Sequence, residues 1–405
     1  MPEISAPSFP AGRLVHLGVC GSVAAYKALE LMRLLQKARL RVCVVLTPAA
    51  RRFISPLSFL SLEAEAVYTD MFAQEEGAPF GHLRPRAVAD AFVVAPASAT
   101  TLARLASGMA DEMLAAQALA FARPLVLAPA MNPGMWANAA TQDNVRRLKE
   151  RGHVLVLPAA GRVACGEEGQ GRLADLEDIF WAVFRSLCPQ DLAGKTILLT
   201  MGPTREPWDG VRCWTNLSSG RMGAALATAA FLRGARVLAL AGPGTPRLPG
   251  GVERRDMGTA REMFAAAKDL WPQADVGIFA AAVADFSPLP QGEGKFKKGE
   301  GSDPLVVEFS RNPDILLSLA QERRLGQKIM AFAAETSDLQ ARARAKLERK
   351  KADLIVGNLV GGADSAFAGE NNTVFVLDIH GRAEAWPVLP KADIAWRLLD
   401  WLISL

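Results

Sequence analysis

Two segments in the second half of the chain carry the residue types that hold a nucleotide. Thr200-Met201-Gly202-Pro203-Thr204-Arg205-Glu206-Pro207 leaves one apolar run, and Asn216-Leu217-Ser218-Ser219-Gly220-Arg221-Met222-Gly223 opens an amphipathic one. Hydroxyls and glycines at the start of a helix meet its positive end, which makes an anion cradle. Ala280-Ala281-Ala282-Val283-Ala284-Asp285-Phe286 ends a third run with a single carboxylate, suited to a nucleotide or a bound magnesium ion. Lys295, Lys297 and Lys298 lie in a Gly/Lys/Glu-rich insertion, and Lys346 and Lys350 share a helix face at i, i+4. Mobile lysines around an anion cradle suit a triphosphate under attack; either lysine segment alone also reads as a solvated face.

The first half offers a different set. Gly18-Val19-Cys20-Gly21-Ser22 is a strand-to-helix turn whose N–H groups and Ser22 hydroxyl suit a phosphate, although such a turn also serves close packing. Thr47 and Ser98 follow two further apolar runs, where ligands sit in a doubly wound sheet. His82 is a candidate base in Phe80-Gly81-His82-Leu83, or a surface histidine. Asn132, among Met131, Met135 and Trp136, could fix a carboxylate or simply close a packed turn. Cys165, in the polar loop Ala164-Cys165-Gly166-Glu167, is a candidate acid, nucleophile or bystander.

These residues need rigid elements behind them, and the patterning supplies two sets. LVHLGV, RVCVVL, AFVVAP, PLVLAPA and HVLVLP alternate with helical stretches, as strands buried on both faces of a parallel sheet do. Near Pro189 the logic restarts with TILLT, RVLALAG, DVGIFA, KIMAFAA and DLIVGN, and TVFVLDIHGRAEAWPVL reads as a hairpin turning at His380-Gly381. Two doubly wound α/β units in tandem are expected, with a loose arm at 1–12, domains at 13–188 and 189–405, and a flap over 288–304. Among 405 residues, 46 basic and 42 acidic side chains give a net charge of +4, too mild to argue for a nucleic-acid or membrane partner. Five scattered cysteines without a CxxC pair suggest neither a disulfide framework nor zinc, and with no secretory leader the expectation is a cytoplasmic protein. The charge-free stretch 124–142 is broken by Pro124, Pro129 and Pro133, which argues against a membrane span.

The ordered set GSVAAYK, GH, PAMNPGMW, ACGEEGQGR, GPTREP, NLSSGRMG, AAVADF, KFKK, RNPDI and FAAET resembles the bacterial bifunctional phosphopantothenoylcysteine decarboxylase / phosphopantothenate-cysteine ligase family of coenzyme A biosynthesis. The resemblance runs from Leu14 into the last helix. It implies a flavodoxin-like FMN-binding domain followed by a Rossmann-like, CTP-dependent ligase domain. It further implies that 4'-phosphopantothenate is activated as an acyl-cytidylate, that L-cysteine displaces CMP, and that FMN serves as the electron sink for a redox-neutral decarboxylation to 4'-phosphopantetheine.

Carried over by position, the resemblance makes His82 the base, Asn132 the grip on the substrate carboxylate and Cys165 the proton donor. Met131 and Met135 would line the substrate clamp, and Ser22, Thr47 and Ser98 would touch FMN. Arg212 and Asn216 fall on the acyl-cytidylate side. Ala281, Asp285, Lys295, Pro313, Asp314, Ile315, Leu316, Phe332, Lys346 and Lys350 fall on the CTP site, with Lys295 neutralising charge. Mg2+ is implied without identifiable ligands, as is a homo-oligomer, a dodecamer by resemblance. Pro85, Thr100, Cys213 and Trp214 depart from the family's usual residues. The alternative reading is a flavin-binding regulatory protein without catalysis.

Overall fold

The computed structural model describes residues 7–8, 10–72, 83–164, 166–292, 294–296, 305–335, 339–359 and 369–405. The chain divides into two compact units, Ser8–Cys188 and, apart from the first few residues, Pro189–Leu405.

In the first unit the apolar runs become β1 (Leu14–Val19), β2 (Arg41–Leu46), β3 (Val67–Tyr68), β4 (Ala91–Ala97), β5 (Val126–Pro129) and β6 (Val154–Leu155). They pair in the order β3-β2-β1-β4-β5-β6, every pair parallel. Every residue of β1 and β4 is buried, because helices cover both faces. One covering helix, Leu176–Leu187, buries Ile179, Phe180, Val183 and Phe184 on a single stripe. Another, Ala99–Ser107, starts on the Ser98 side chain and stops at Gly108, whose φ of 71° few other residues adopt. An antiparallel ribbon of β7 (Ala159–Arg162) and β8 (Glu168–Arg172) stands apart from this sheet. Residues 10–12 form a turn whose Gly12 N–H donates to the Arg39 carbonyl.

The second unit is built on β9 (Thr196–Met201), with short ribbons β10 (Arg205–Pro207) and β11 (Cys213–Thr215), then β12 (Arg236–Ala241), β13 (Glu253–Asp256) and β14 (Val276–Phe279). A second ribbon, β15 (Phe286–Pro288) with β16 (Phe309–Arg311), precedes β17 (Lys328–Glu335), β18 (Leu354–Leu359), β19 (Asn371–Asp378) and β20 (Ala383–Pro390). The main sheet runs β13-β12-β9-β14-β17-β18-β19-β20, parallel as far as β18 and antiparallel beyond it. The β19–β20 hairpin turns at His380-Gly381, where Asp378 Oδ1 accepts the N–H groups of His380 and Arg382. The helix after Gly220 spans Arg221–Leu232, a turn shorter than the pattern from Ser218 suggests, because Gly220 holds the left-handed conformation at its N-cap. Among the described residues no helix is long and apolar enough to cross a membrane.

Candidate functional site

In both sheets the connections reverse direction beside the first strand, and the crevice at the carboxyl ends there is where doubly wound folds place ligands. In the first unit that crevice lies between β1 and β4. Ser22 caps the turn after β1 by accepting Ala24 N–H at 3.2 Å, and Thr47 Oγ1 accepts Ala50 N–H at 3.1 Å after β2. Ser98 accepts Thr101 N–H at 3.3 Å after β4. All three line one cavity of about 410 Å³, together with Phe53, Thr100, Arg104, Glu112, Met131 and Met135. Gly21 is required here: a Cβ on it would lie 2.5 Å from Ala49 Cβ, so the two loops meet only because it is absent. Thr100 sits in the first turn of its helix and faces the cavity. Cys20, under the crevice floor, is buried with its thiol pushed up to about 11 by burial, which makes it a packing group rather than a nucleophile.

A second cavity of about 370 Å³ shares Ser22, Val23, Ala130 and Met131 with the first and adds, among others, Asn132, Arg162, Val163, Ala164, Gly171 and Arg172. The β7–β8 ribbon reaches it because Gly171 has no side chain: a Cβ there would stand 2.3 Å from the Met131 carbonyl oxygen, and Met131 N–H donates to the Gly171 carbonyl at 2.9 Å. Asn132 Oδ1 accepts Gly134 N–H at 2.8 Å and starts the helix Pro133–Ala137. Its Nδ2 donates to Glu167 Oε2 at 2.9 Å, so the amide expected to grip a carboxylate already holds one. His82 and Cys165 lie outside the described residues. Pro85 falls in the first turn of the helix Arg84–Val88, where a missing N–H costs nothing.

These cavities suit a flavin mononucleotide. Hydroxyls and helix-start N–H groups line one side, and Phe53, Met131 and Met135 provide apolar wall for a planar ring. Glu112 Oε1 is buried without a hydrogen-bond donor, 3.5 Å from Arg104, and burial pushes its carboxyl above the usual range.

In the second unit the corresponding crevice lies between β9 and β14. The loops after these strands are laced together: Ala282 N–H donates to the Gly202 carbonyl at 2.8 Å, and Ala284 N–H to Thr204 Oγ1 at 3.1 Å. Asn216 is drawn onto the same loop, its Nδ2 donating to the Val283 carbonyl at 3.0 Å and to Ala282 at 3.4 Å. Ala281, Asp285 and Asn216 therefore share one edge. Asn312 joins them, donating from its backbone to the Asp285 carbonyl at 2.9 Å and from Nδ2 to Ala284 at 2.8 Å, which brings Pro313–Leu316 alongside. Asp314 caps the helix Ile315–Gln321 and is ion-paired with Lys350. Burial works against its ionisation, but Lys350 and the Leu317 N–H hold its carboxyl below the ordinary range. Lys350 thus spends its charge on Asp314, where sequence suggested a phosphate. Phe332 is half-buried on β17, and Lys346 lies one turn before Lys350 on the helix Leu339–Lys350. Lys295 is exposed in the described part of the flap; Lys297 and Lys298 lie outside it.

Several residues here escape sequence reading. Thr245, in the loop after β12, wedges against two glycines: Cβ atoms on Gly202 and Gly220 would stand 2.1 and 2.5 Å from its Cγ2. Glu206 is buried, accepting Ala260 N–H at 2.9 Å and lying 2.7 Å from Ser287 Oγ, which in turn is 2.7 Å from Asn312 Oδ1. Asp209 ties Arg212 to the flap. Glu206 lies inside the GPTREP motif without any sign of its partners, and the Gly-Pro-Gly-Thr run at 242–245 carries a local signal of its own, a glycine-rich turn at a strand's carboxyl end. A cavity of about 780 Å³ lined by Arg323, Arg344, Lys351 and His380 lies at the opposite, amino-terminal edge of the sheet, away from these motifs. Among the described residues no group of three or more His, Cys, Asp or Glu side chains is placed to hold a metal ion.

Fold and crevices define a tandem of two doubly wound α/β domains, each with its own ligand edge. Residues 9–187 match the flavoprotein family model, and residues 192–405 match the C-terminal domain of the DNA/pantothenate metabolism flavoproteins. The coenzyme A biosynthesis bifunctional protein CoaBC of Vibrio vulnificus is 37% identical over 395 residues, covering 98% of each chain. That of Mycobacterium tuberculosis is 41% identical over 405 residues, covering 96% of each. A crystal structure of a CoaBC C-terminal domain is 33% identical and covers 53% of this chain and 97% of its own, with a TM-score of 0.45. The chain belongs to the CoaBC family of bifunctional coenzyme A biosynthesis enzymes, with decarboxylase and ligase activities. That membership sets aside the non-catalytic regulatory reading.

Proposed function

We propose that the second domain joins L-cysteine to 4'-phosphopantothenate at the expense of CTP, and that the first domain decarboxylates the product with FMN. In the ligase step a carboxylate oxygen of 4'-phosphopantothenate attacks the α-phosphorus of CTP, the bond to pyrophosphate breaks, and an acyl-cytidylate forms. The cysteine amine then attacks the acyl carbon, the bond to CMP breaks, and the amine proton leaves. Lys295 offsets negative charge on the phosphates, Arg212 and Asn216 hold the acyl-cytidylate, and Ala281, Asp285, Pro313–Leu316 and Phe332 form the nucleotide edge. Lys346 and Lys350 stand behind that edge, Lys350 through Asp314. Mg2+ belongs with the triphosphate as its counter-ion.

In the first domain Ser22, Thr47 and Ser98 bind FMN, which when bound supplies the electron sink that a cysteine carboxylate needs before it leaves as CO2. Asn132 orients the substrate carboxylate, Met131 and Met135 exclude water beside it, His82 takes a proton and Cys165 returns one. The net change is loss of CO2 and gain of a proton, with no net oxidation. The chain works as a homo-oligomer, a dodecamer by resemblance. Exposed Leu57 and Phe72 on one domain and Trp214, Leu217 and Phe286 on the other offer apolar contact for it.

The observation that supports this reading most is the convergence of Asn216 with the Ala282–Val283 carbonyls, 67 residues apart in sequence. The test separates the halves. Cys165→Ser should stop 4'-phosphopantetheine formation while CMP release from CTP continues. A Cys165→Ser protein forming 4'-phosphopantetheine at the wild-type rate would contradict the assigned role.

A further inference from the structure

The flap and the segment ahead of β11 meet on one buried carboxylate. The Asp209 side chain has no solvent exposure, whereas that of Arg212 is 42% exposed. Oδ1 of Asp209 accepts the N–H groups of Val211 at 2.8 Å and Arg212 at 2.6 Å, which closes a local turn. Oδ2 does something different: it accepts Arg212 Nη1 at 3.0 Å and the Phe296 backbone N–H at 3.1 Å, across 87 residues of sequence. Further contacts run along the same seam. Gln291 N–H donates to the Trp208 carbonyl at 2.7 Å, the Trp208 and Phe296 rings lie 5.1 Å apart, and the Arg212 guanidinium lies 5.5 Å from the Trp208 ring centroid.

A carboxylate removed from water needs its oxygens satisfied by donors, and here one oxygen serves the turn while the other serves the flap and the guanidinium. Burial alone would raise the Asp209 carboxyl, but the three N–H groups and Arg212 hold it below the ordinary range. The group therefore stays charged at neutral pH and keeps its hold on both.

We propose that Asp209 is a positioning residue that couples the flap to Arg212, so that Lys295 and Arg212 reach the ligase crevice as one unit. The proposal rests on the roles given to Lys295 and Arg212 above. Lys295 immediately precedes the Phe296 N–H that Asp209 holds, so losing that bond removes the side-chain tether next to the lysine and leaves the flap on its backbone bonds at Gln291 and Gly294. Arg212 loses its side-chain anchor at the same moment.

The test is Asp209→Asn in the full-length protein. An asparagine can keep Oδ1 on Val211 and Arg212 but presents an NH2 group where Oδ2 stood, facing two donors. The turn survives and the coupling is broken. We expect ligase kcat/KM to fall on the order of tenfold. Hydrogen exchange at the Phe296 amide should quicken, and decarboxylation of supplied 4'-phosphopantothenoylcysteine should be unchanged. Because Asp209 acts through the flap, adding Asp209→Asn to Lys295→Ala should cost less than it costs the wild type. Full additivity of the two losses, or wild-type exchange at Phe296 in Asp209→Asn, overturns the coupling while leaving Lys295 assigned. Ligation at the wild-type rate by Lys295→Ala alone overturns the reading of Lys295 and the coupling with it.

Discussion

Removing Glu167 should tighten the decarboxylase site for its substrate. Asn132 Nδ2 donates to Glu167 Oε2 at 2.9 Å, so an entering carboxylate must displace one that the chain itself provides. A hydrogen bond to a charged group contributes about 1.5–3 kcal/mol when shielded. Glu167 is exposed and Asn132 only partly covered, and solvent screening reduces the contact to about 1 kcal/mol, or about fivefold in an equilibrium constant. Glu167→Ala should therefore lower KM for 4'-phosphopantothenoylcysteine by about fivefold with little change in kcat. Steady-state CO2 release at varied substrate reads this directly, with Asn132→Ala, which should raise KM, as the opposing control. An unchanged or higher KM in Glu167→Ala would show that Asn132 does not receive the substrate carboxylate.

The remaining predictions concern packing, charge and pH. Gly171→Ala should push the β7–β8 ribbon off Met131 at a cost of about 1–3 kcal/mol, since its Cβ would sit 2.3 Å from the Met131 carbonyl. Decarboxylation should drop while CMP release holds, and equal loss of both would count against a local effect. Asn216→Asp places a carboxylate against the Val283 and Ala282 carbonyls, so ligation should fall by about 10- to 100-fold with decarboxylation of supplied intermediate intact. Burial depresses His16 from 6.5 to about 4, opposed in part by its hydrogen bond to Gln117. The unfolded chain takes up that proton first, so the stability His16 contributes is complete above pH 6.5 and is lost as pH falls toward 4. Its slope is about 1.4 kcal/mol per pH unit. Urea midpoints across that range should flatten in His16→Asn, and an unchanged slope would assign the acid sensitivity elsewhere.

The parallel sheets were readable because strands buried on both faces have a simple signature: Leu14–Val19 and Ala91–Ala97 are apolar or small at nearly every position. The turn at His380-Gly381 was readable for a similarly local reason, a glycine between two alternating runs. Ser22, Thr47 and Ser98 could be placed together because each follows a strand at the same sheet edge, and they do line one cavity. The short ribbons Arg205–Pro207 with Cys213–Thr215 and Phe286–Pro288 with Phe309–Arg311 were not readable, since three residues carry no period. Asp209 and Glu167 were hidden for a deeper reason. An aspartate in Pro207-Trp208-Asp209-Gly210 looks like any turn residue, and only the tertiary fold brings the Phe296 N–H to it. Lys350 shows the converse: its spacing from Lys346 suggested a phosphate contact, but the fold delivers Asp314 to it first. His82 and Cys165 lie outside the described residues, so their roles rest on sequence position, and that of Cys165 is tested by Cys165→Ser.

The central claim is that one chain carries both activities. Its most direct test is mass spectrometry of the products when the full-length protein receives 4'-phosphopantothenate, L-cysteine, CTP, Mg2+ and FMN. The account predicts 4'-phosphopantetheine with CMP and pyrophosphate. Absence of both CMP and 4'-phosphopantetheine would contradict it, and accumulation of 4'-phosphopantothenoylcysteine in the presence of bound FMN would contradict the decarboxylase half.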